Sequence, residues 1–93
     1  MKVELTFSAR ADLRAIRESR AEYSEDSAQA LAFALLRRLR QIRDYPSSGR
    51  MIPEFQHPNL REVLEQGYRI LYEVFPEHIE VFGIMSSRQQ LAP

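Results

Sequence analysis

Hydrophobic residues recur with two different periods at the start of the chain, and each period predicts a different element. Val3, Leu5 and Phe7 alternate with polar residues, which predicts a half-buried first strand. Apolar positions then recur at steps of three and four over residues 9–22, the spacing of an amphipathic helix. Ser8 is the predicted cap of this helix. Its apolar stripe comprises Ala9, Leu13, Ile16 and Tyr23.

A second helix is predicted between Ser24 and the Tyr45-Pro46 step. Ser24 is a suitable N-cap, and Glu25 and Asp26 follow it in the first turn, where the helix dipole favours anions. The proline restricts Tyr45 to extended conformations and ends the helix. The apolar stripe comprises Ala28, Leu31, Leu35, Leu39 and Ile42. Because the two helices are joined by only a few residues, they are expected to form an αα-hairpin.

The second half of the chain changes to strand patterns. Residues 46–59 form a proline-rich loop without periodicity, and residues 60–64 then alternate in polarity. Gln66-Gly67 is a turn signal. Residues 68–75 are rich in β-formers and apolar on both faces, which is typical of a central strand, and residues 79–85 form the last strand.

The alternation also assigns side chains to the two faces of the sheet. On the last strand, one face is expected to carry Ile79, Val81 and Met85, and the other Phe82 and Ile84. The face away from the helices is expected to carry Arg69, Leu71 and Glu73 of the central strand, together with Arg61. This face is only partly apolar, so it is either a solvated surface or a docking groove.

These elements predict an α+β fold in a single domain spanning residues 1–93. An N-terminal strand is followed by the αα-hairpin and a three-stranded antiparallel meander. The helices are expected to pack on one face of a four-stranded sheet. The polar tail, SSRQQLAP, is expected to be frayed.

Composition removes several classes of function. The chain has no cysteine, which excludes a disulfide scaffold, a thiolate zinc site and a cysteine nucleophile. It carries no P-loop, dinucleotide-binding or metal motif, so neither a cofactor nor a metal is predicted. No apolar run approaches the ~18 residues of a membrane span, and a cytoplasmic protein is expected. The formal net charge of zero argues against a dedicated nucleic-acid binder.

Arginines carry the most specific chemical signal in the second half of the chain. Arg61, Arg69 and Arg88 are the only basic residues after residue 50, among six glutamates. One interpretation is that they pair with neighbouring carboxylates of the sheet: Glu62, Glu73 and Glu80. The other is that they converge on the uncovered face and bind an anion, either a phosphate backbone or the carboxylates of a partner.

Several segments together resemble the RelE/ParE superfamily of type II toxin–antitoxin toxins, and the ParE branch more closely. The resemblance covers nearly the whole chain. It is carried by an ordered set of motifs: Ser-Gly-Arg with Gly49 and Arg50, Pro-Glu with Pro53 and Glu54, Leu-Arg-Glu at 60–62, Tyr-Arg-Ile-x-Tyr at 68–72, and the terminal Arg88. It implies a plasmid-stabilising or growth-arresting toxin that forms a hetero-oligomer with a cognate antitoxin.

The resemblance leaves two mechanisms open. RelE-like members are ribosome-dependent endoribonucleases that cleave mRNA without a metal, and Arg69 and Arg88 fall where their basic site residues lie, with Arg61 near a lysine position. This chain lacks the accompanying sheet lysine and the tyrosine or histidine of the tail, so proton transfer has no evident carrier. ParE-like members inhibit DNA gyrase by protein binding. The sequence therefore favours a non-enzymatic gyrase inhibitor, with the endoribonuclease as the alternative.

Overall fold

Two helices pack on one face of a five-stranded mixed sheet in the computed structural model, which describes residues 1–91. The elements are β1 (Lys2–Leu5), α1 (Phe7–Ala21), α2 (Glu25–Asp44), a 3-10 turn (Pro46–Ser48), β2 (Arg50–Met51), β3 (Leu60–Glu65), β4 (Tyr68–Val74) and β5 (His78–Ser86). The strand order is β1-β5-β4-β3-β2. Strand β1 runs parallel to β5, and the other pairs are antiparallel. The predicted α+β class and the αα-hairpin are confirmed.

Side-chain caps start both helices. The Ser24 Oγ accepts a hydrogen bond from the Ser27 amide at 3.1 Å, as its position before α2 predicts. In α1 the cap is Thr6, whose Oγ1 accepts from the Ala9 amide at 3.1 Å, and the prediction of Ser8 is wrong. The helix therefore begins two residues earlier than the periodicity indicates.

Two aromatic residues that were assigned to buried faces lie just outside their predicted elements. Phe7 is the first residue of α1 instead of the last of β1, and Tyr23 lies in the link that follows α1. Both side chains are 89% exposed. A period-two pattern cannot distinguish a third strand position from the first helical one, because both follow two alternating residues.

The hydrophobic core lies between the helices and the inner face of the sheet. Residues Leu31, Leu35 and Ile42 of α2 pack against apolar side chains of the three central strands. The sheet contributes Val63, Ile70, Tyr72, Ile79, Val81 and Ile84. Strand β4 is the middle strand of the five, as its two-sided apolar pattern predicts.

A β-bulge corrects the predicted faces of β5. Leu71 pairs with Gly83 and Tyr72 pairs with Val81, so Phe82 has no partner in β4. The extra residue shifts the alternation by one position. Ile84 consequently joins Ile79 and Val81 in the core, and its predicted place beside Phe82 is wrong.

The loop of residues 46–59 contains the fifth strand, which the sequence does not predict. Arg50 pairs with Glu62 and Met51 with Arg61, forming a two-residue edge. So short a strand leaves no periodicity to detect. Its formation depends on side-chain contacts with β3 and β4, which are described below.

The turn between β3 and β4 is confirmed at Gln66-Gly67. Both residues have positive φ angles, 49° and 85°, which matches the twist of a tight hairpin. Glycine adopts this conformation without a Cβ penalty, whereas Gln66 is one of two non-glycine residues with positive φ within residues 1–91.

Candidate functional site

Arg69 lies on the outer face of the sheet, the face away from the helices, and is almost completely enclosed. Arg69 is only 5% exposed, although its guanidinium is charged. Its guanidinium donates to both carboxylate oxygens of Glu54 at 2.8 Å, and its Nε donates to Glu62 Oε1 at 2.7 Å. A fourth hydrogen bond, at 2.9 Å, runs to the Gln89 carbonyl. Four of the five N–H donors of the guanidinium are therefore used within the chain.

The second oxygen of Glu62 extends this ion-pair network to the edge strand. Arg50 Nε donates to Glu62 Oε2 at 2.6 Å. The Glu62 side chain is completely buried, whereas that of Arg50 is 60% exposed. Charges alternate along the series Arg50, Glu62, Arg69 and Glu54, so each buried charge contacts an opposite one. Such pairing is what makes burial of charged groups tolerable.

The network shifts the titration of two of its members. Hydrogen bonds from Arg69, together with one from the Leu91 amide, lower the pKa of Glu54 from its ordinary 4.5 to about 2. The hydrogen bond with Glu54 raises the pKa of Arg69, and it outweighs the opposing effect of burial. Both groups stay charged throughout the physiological range.

The Ser-Gly-Arg motif is explained by a close approach of two backbones. A Cβ on Gly49 would lie 2.5 Å from the Glu62 carbonyl oxygen and 2.5 Å from the Tyr72 hydroxyl, so no side chain fits. The Gly49 amide donates to this hydroxyl at 3.0 Å, and the hydroxyl donates to the Pro46 carbonyl at 2.7 Å. Burial raises the pKa of the Tyr72 phenol. The tyrosine thus anchors the start of the loop to the sheet.

Arg61 does not join Arg69. It pairs with Tyr72 across the strands, whereas Arg69 pairs with Leu64, three positions away from Arg61. An odd separation places the two side chains on opposite faces, so the assignment of Arg61 to the outer face is wrong. Its Nη1 donates to the Gly49 carbonyl at 2.8 Å and ties the loop from the other side.

Arg88 shares a cleft with Arg69, which we call the outer cleft. Its volume is about 400 Å³, and its lining includes Arg50, Pro53, Glu54, Leu64, Arg69 and Arg88. Arg88 is exposed, and within residues 1–91 its side chain forms no ion pair. The structure therefore brings together two of the three predicted arginines, of which one is saturated by carboxylates.

The predicted fraying of the tail can be compared with the structure for residues 86–91. Residues 87–91 lie beside the outer cleft, and the Leu91 amide donates to Glu54 Oε2 at 2.9 Å. Ala92 and Pro93, the last two residues of the predicted frayed segment, lie outside the described residues. The segment that precedes Ala92 is hydrogen-bonded to the sheet through Gln89 and to the loop through Leu91.

A second concave surface lies on the helices, and we call it the helix groove. Its volume is about 620 Å³. The floor is apolar and consists of Leu13, Ala32, Leu35, Leu36 and Leu39. The exposed side chains of Arg10, Arg14 and Arg17 line it, together with Glu18 and Glu25. Leu36 is 41% exposed, so apolar surface remains open to solvent here.

Sequence reasoning missed two features that the structure shows, the anchoring role of Tyr72 and the helix groove. Tyr72 was counted only as an apolar strand residue, although a phenol in an otherwise apolar strand needs a hydrogen-bond partner, which was a usable signal. The helix groove was missed because periodicity shows which side chains share a face but not how much of that face the sheet covers.

Neither a metal nor histidine chemistry is supported by the described part of the chain. Within residues 1–91, no three His, Asp or Glu side chains are close enough to hold a metal ion. His57 Nδ1 accepts from the Asn59 amide at 3.1 Å, and His78 stacks on Phe75 with ring centroids 4.7 Å apart. Neither histidine lines the outer cleft. Among the described residues, no helix combines the length and apolarity that crossing a membrane requires.

Comparisons with known proteins agree with the resemblance noted in the sequence. A family model described as the ParE toxin of the type II toxin–antitoxin system parDE matches residues 3–91. A solved structure titled "Chromosomal ParDE TA system from P. aeruginosa" is similar, with a TM-score of 0.76, 20% identity, and coverage of 92% of this chain and 95% of the other. At this identity the likeness shows a shared fold. A search of curated proteins found no match.

Proposed function

Because the chain belongs to the ParE family of type II toxin–antitoxin toxins, we propose that it arrests growth by binding DNA gyrase and that a cognate antitoxin neutralises it. The family implies the antitoxin partner, and the resemblance supplies gyrase as the target. Plasmid stabilisation and a cytoplasmic location follow from the same proposal. The structural support comes from what the two concave surfaces are able to bind.

The saturation of Arg69 is the observation that carries the proposal. A nuclease of the RelE type needs arginines that are free to contact the scissile phosphate. Here Glu54 occupies both Nη atoms of Arg69, and Glu62 occupies Nε. A phosphate would have to displace the bidentate carboxylate of Glu54 and leave that negative charge without its partner, which is unfavourable.

Proton transfer is equally unsupported in the outer cleft. Cleavage of RNA without a metal needs a base for the 2′-hydroxyl and an acid for the leaving oxygen. Among the described residues, Glu54 is the only carboxylate in the lining of the cleft, and no histidine or tyrosine lies there; its pKa of about 2 makes it a weak base at neutral pH. The endoribonuclease therefore stays the second candidate, favoured only by the shared position of Arg69 and Arg88 in one cleft.

Of the three predicted arginines, we assign partner contact to Arg88. Arg61 and Arg69 are engaged by the loop and by carboxylates of the same chain. Arg88 is exposed at the rim of the outer cleft, next to the half-exposed Arg50. This arrangement suits a carboxylate of a protein partner, because Arg50, Arg69 and Arg88 carry one more charge than the two glutamates Glu54 and Glu62.

We propose the helix groove as the surface that the antitoxin covers. Its apolar floor and its arginines favour an acidic amphipathic segment, which would bury leucine side chains in the floor and pair its carboxylates with the arginines. Within the described residues, Arg10, Arg14 and Arg17 form no ion pairs, so their charges are available. A segment that is disordered when free could fold on this surface.

Two assays run on the same preparation separate the candidate functions. Purified protein is expected to block gyrase supercoiling, or to stabilise the cleaved gyrase–DNA complex, and to leave mRNA intact in a translating extract. The Arg88→Ala variant should weaken the gyrase effect. Unaffected gyrase at large molar excess contradicts the proposal, and mRNA cleavage that is lost in Arg69→Ala supports the endoribonuclease instead.

A binding experiment tests the antitoxin partner separately. The product of the adjacent reading frame is expected to co-purify with the toxin and to restore gyrase activity when it is added to inhibited enzyme. Failure to bind would reject that protein as the antitoxin. Binding without restored gyrase activity would indicate that the groove and the gyrase-binding surface are independent.

A further inference from the structure

The tail segment of residues 87–91, which we call the strap, is held partly by its own turn and partly by two side chains distant in sequence, Glu54 and Arg69. Its other contacts lie in the turn at its start: the Gln89 amide donates to Ser86 O at 3.0 Å, the Arg88 amide donates to Ser86 Oγ at 3.2 Å, and the Ser87 amide donates to Gly67 O at 2.8 Å. The strap belongs to no strand or helix. These contacts reach only as far as Gln89, and they do not by themselves keep the exposed tail after the turn ordered.

The Glu54–Arg69 pair, which we call the clasp, supplies two further contacts to the end of the strap. Arg69 Nη1 donates to Gln89 O at 2.9 Å, and the Leu91 amide donates to Glu54 Oε2 at 2.9 Å. Both contacts are made to the backbone, two residues apart. Both involve a charged partner, and charge-assisted hydrogen bonds are stronger than neutral ones. The clasp thus holds the strap independently of its side chains.

The clasp is itself rigidly supported. Glu62 Oε1 fixes Arg69 from the sheet side at 2.7 Å, and the bidentate contact fixes the relative orientation of Arg69 and Glu54. Arg88, directly before the clasped residues, is therefore held at the rim of the outer cleft. An arginine on a free tail would lose more conformational entropy on binding a partner than one already held in position.

We propose that Glu54 and Arg69 are positioning residues, which clasp the backbone of the strap so that Arg88 is presented to an anionic group of a protein partner. The clasp is a property of the chain alone. Only the role of Arg88 in partner contact rests on the proposed function. The motif residues Glu54 and Arg69 then contribute to binding through the strap, without touching the partner.

Trypsin tests the clasp without any partner, because it cleaves after Arg88 only when the strap leaves the cleft. Release of the peptide that begins at Gln89 is followed by mass spectrometry. Cleavage after Arg37, within α2, reports global unfolding in the same digest. We expect Glu54→Gln to release the peptide at least about tenfold faster, or about 1.4 kcal/mol, with cleavage after Arg37 unchanged. The exposed control Glu77→Gln should behave as the wild type.

A second pair of variants leaves the ion pair intact. Leu91→Pro removes the amide that donates to Glu54, and Leu91→Ala keeps it while shortening the side chain. The proline variant should be cleaved about tenfold faster than the alanine variant. Equal rates in this pair overturn the clasp, and so does Glu54→Gln with the wild-type rate. If Glu54→Gln instead speeds cleavage after Arg37 as well, the comparison at Leu91 decides.

The contribution to partner binding is read in the gyrase assay. If the clasp positions Arg88, Leu91→Pro should weaken inhibition to the level of Arg88→Ala, and combining the two changes should add nothing further. If trypsin confirms the clasp but Leu91→Pro still inhibits gyrase fully, the clasp does not position Arg88 for partner binding. Absence of gyrase inhibition in the wild type rejects the proposed function and leaves the trypsin result standing.

Discussion

The outer cleft and the helix groove each contain three arginines, yet the two sets are held in opposite ways. In the outer cleft, Arg50 and Arg69 are bound by Glu62 and Glu54 of the same chain, and only Arg88 is left exposed without an ion pair among residues 1–91. In the helix groove, Arg10, Arg14 and Arg17 are all exposed and make no ion pair within the same residues. The residue type is the same in both sets, so the difference comes from the neighbouring carboxylates, Glu54 and Glu62, which bind the arginines of the outer cleft.

Burial explains the pairing in the outer cleft, because Arg69 is buried and the exposed Arg50 is paired with the buried Glu62. A buried guanidinium must have its charge and donors satisfied, because the surrounding protein solvates it poorly. An exposed one keeps its hydration and gains little from a surface ion pair. The outer cleft therefore uses most of its arginine charge to hold the loop and the strap, whereas the groove arginines form no ion pairs within residues 1–91.

Removal of Arg69 should produce the largest loss of stability. Arg69→Ala leaves the fully buried Glu62 with one partner and Glu54 with only the Leu91 amide, so unfolding should become easier by about 3–5 kcal/mol. Urea denaturation measures this loss. The matched groove variant Arg14→Ala should change stability by less than about 0.5 kcal/mol. Similar small effects at both sites would remove the distinction between the two regions.

A smaller loss of stability is expected at Gly49, where the loop meets the sheet. Gly49→Ala places a methyl group 2.5 Å from the Glu62 carbonyl oxygen and the Tyr72 hydroxyl, and the backbones must separate. Such overpacking costs about 1–3 kcal/mol. The exposed neighbour Ser47→Ala is the control, and thermal unfolding of the three proteins provides the comparison. A Gly49→Ala variant as stable as the control would show that the loop yields without strain.

The third prediction concerns low pH, which should lower the free energy of unfolding by protonating Glu54 in the outer cleft. The folded pKa of about 2 lies below the ordinary 4.5, so the stabilising contribution is complete above pH 4.5 and is lost as the pH falls towards 2. The stability difference between wild type and Glu54→Gln should shrink over this window. Denaturation curves at pH 5 and pH 2.5 measure it, and a constant difference would argue against the ion pair.

The smallest effect on stability is expected in the helix groove. Arg14→Glu reverses an exposed charge, so unfolding should change by less than about 0.5 kcal/mol, whereas association with the antitoxin should slow because a charge at the interface is reversed. Stopped-flow or surface-based kinetics measure the association rate. Arg40→Glu, exposed on α2 but outside the groove lining, is the matched control. Equal rates for the two variants would place the antitoxin elsewhere.

Much of the fold was accessible from local sequence patterns. The cap at Ser24, the end of α2 before Pro46, the Gln66-Gly67 turn and the central position of β4 all depend on residues close together in the chain. The candidate site was accessible only in part. Arg69 and Arg88 share a cleft, but Arg61 lies on the opposite face of the sheet. The alternation within a strand does not show which residue of the neighbouring strand lies opposite, so it could not relate the face of Arg61 to that of Arg69.

By itself, the sequence determined the two helices, every strand except β2, their order and the toxin family, since the period of side chains and the chemistry of caps and turns are set over a few residues. The tertiary structure alone decided the partners of Arg69: Glu54, fifteen residues earlier, and the backbone of Gln89, twenty residues later. These contacts depend on strand register, on the path of the loop and on the bulge at Phe82. Each arises from packing between distant segments, which no local period encodes.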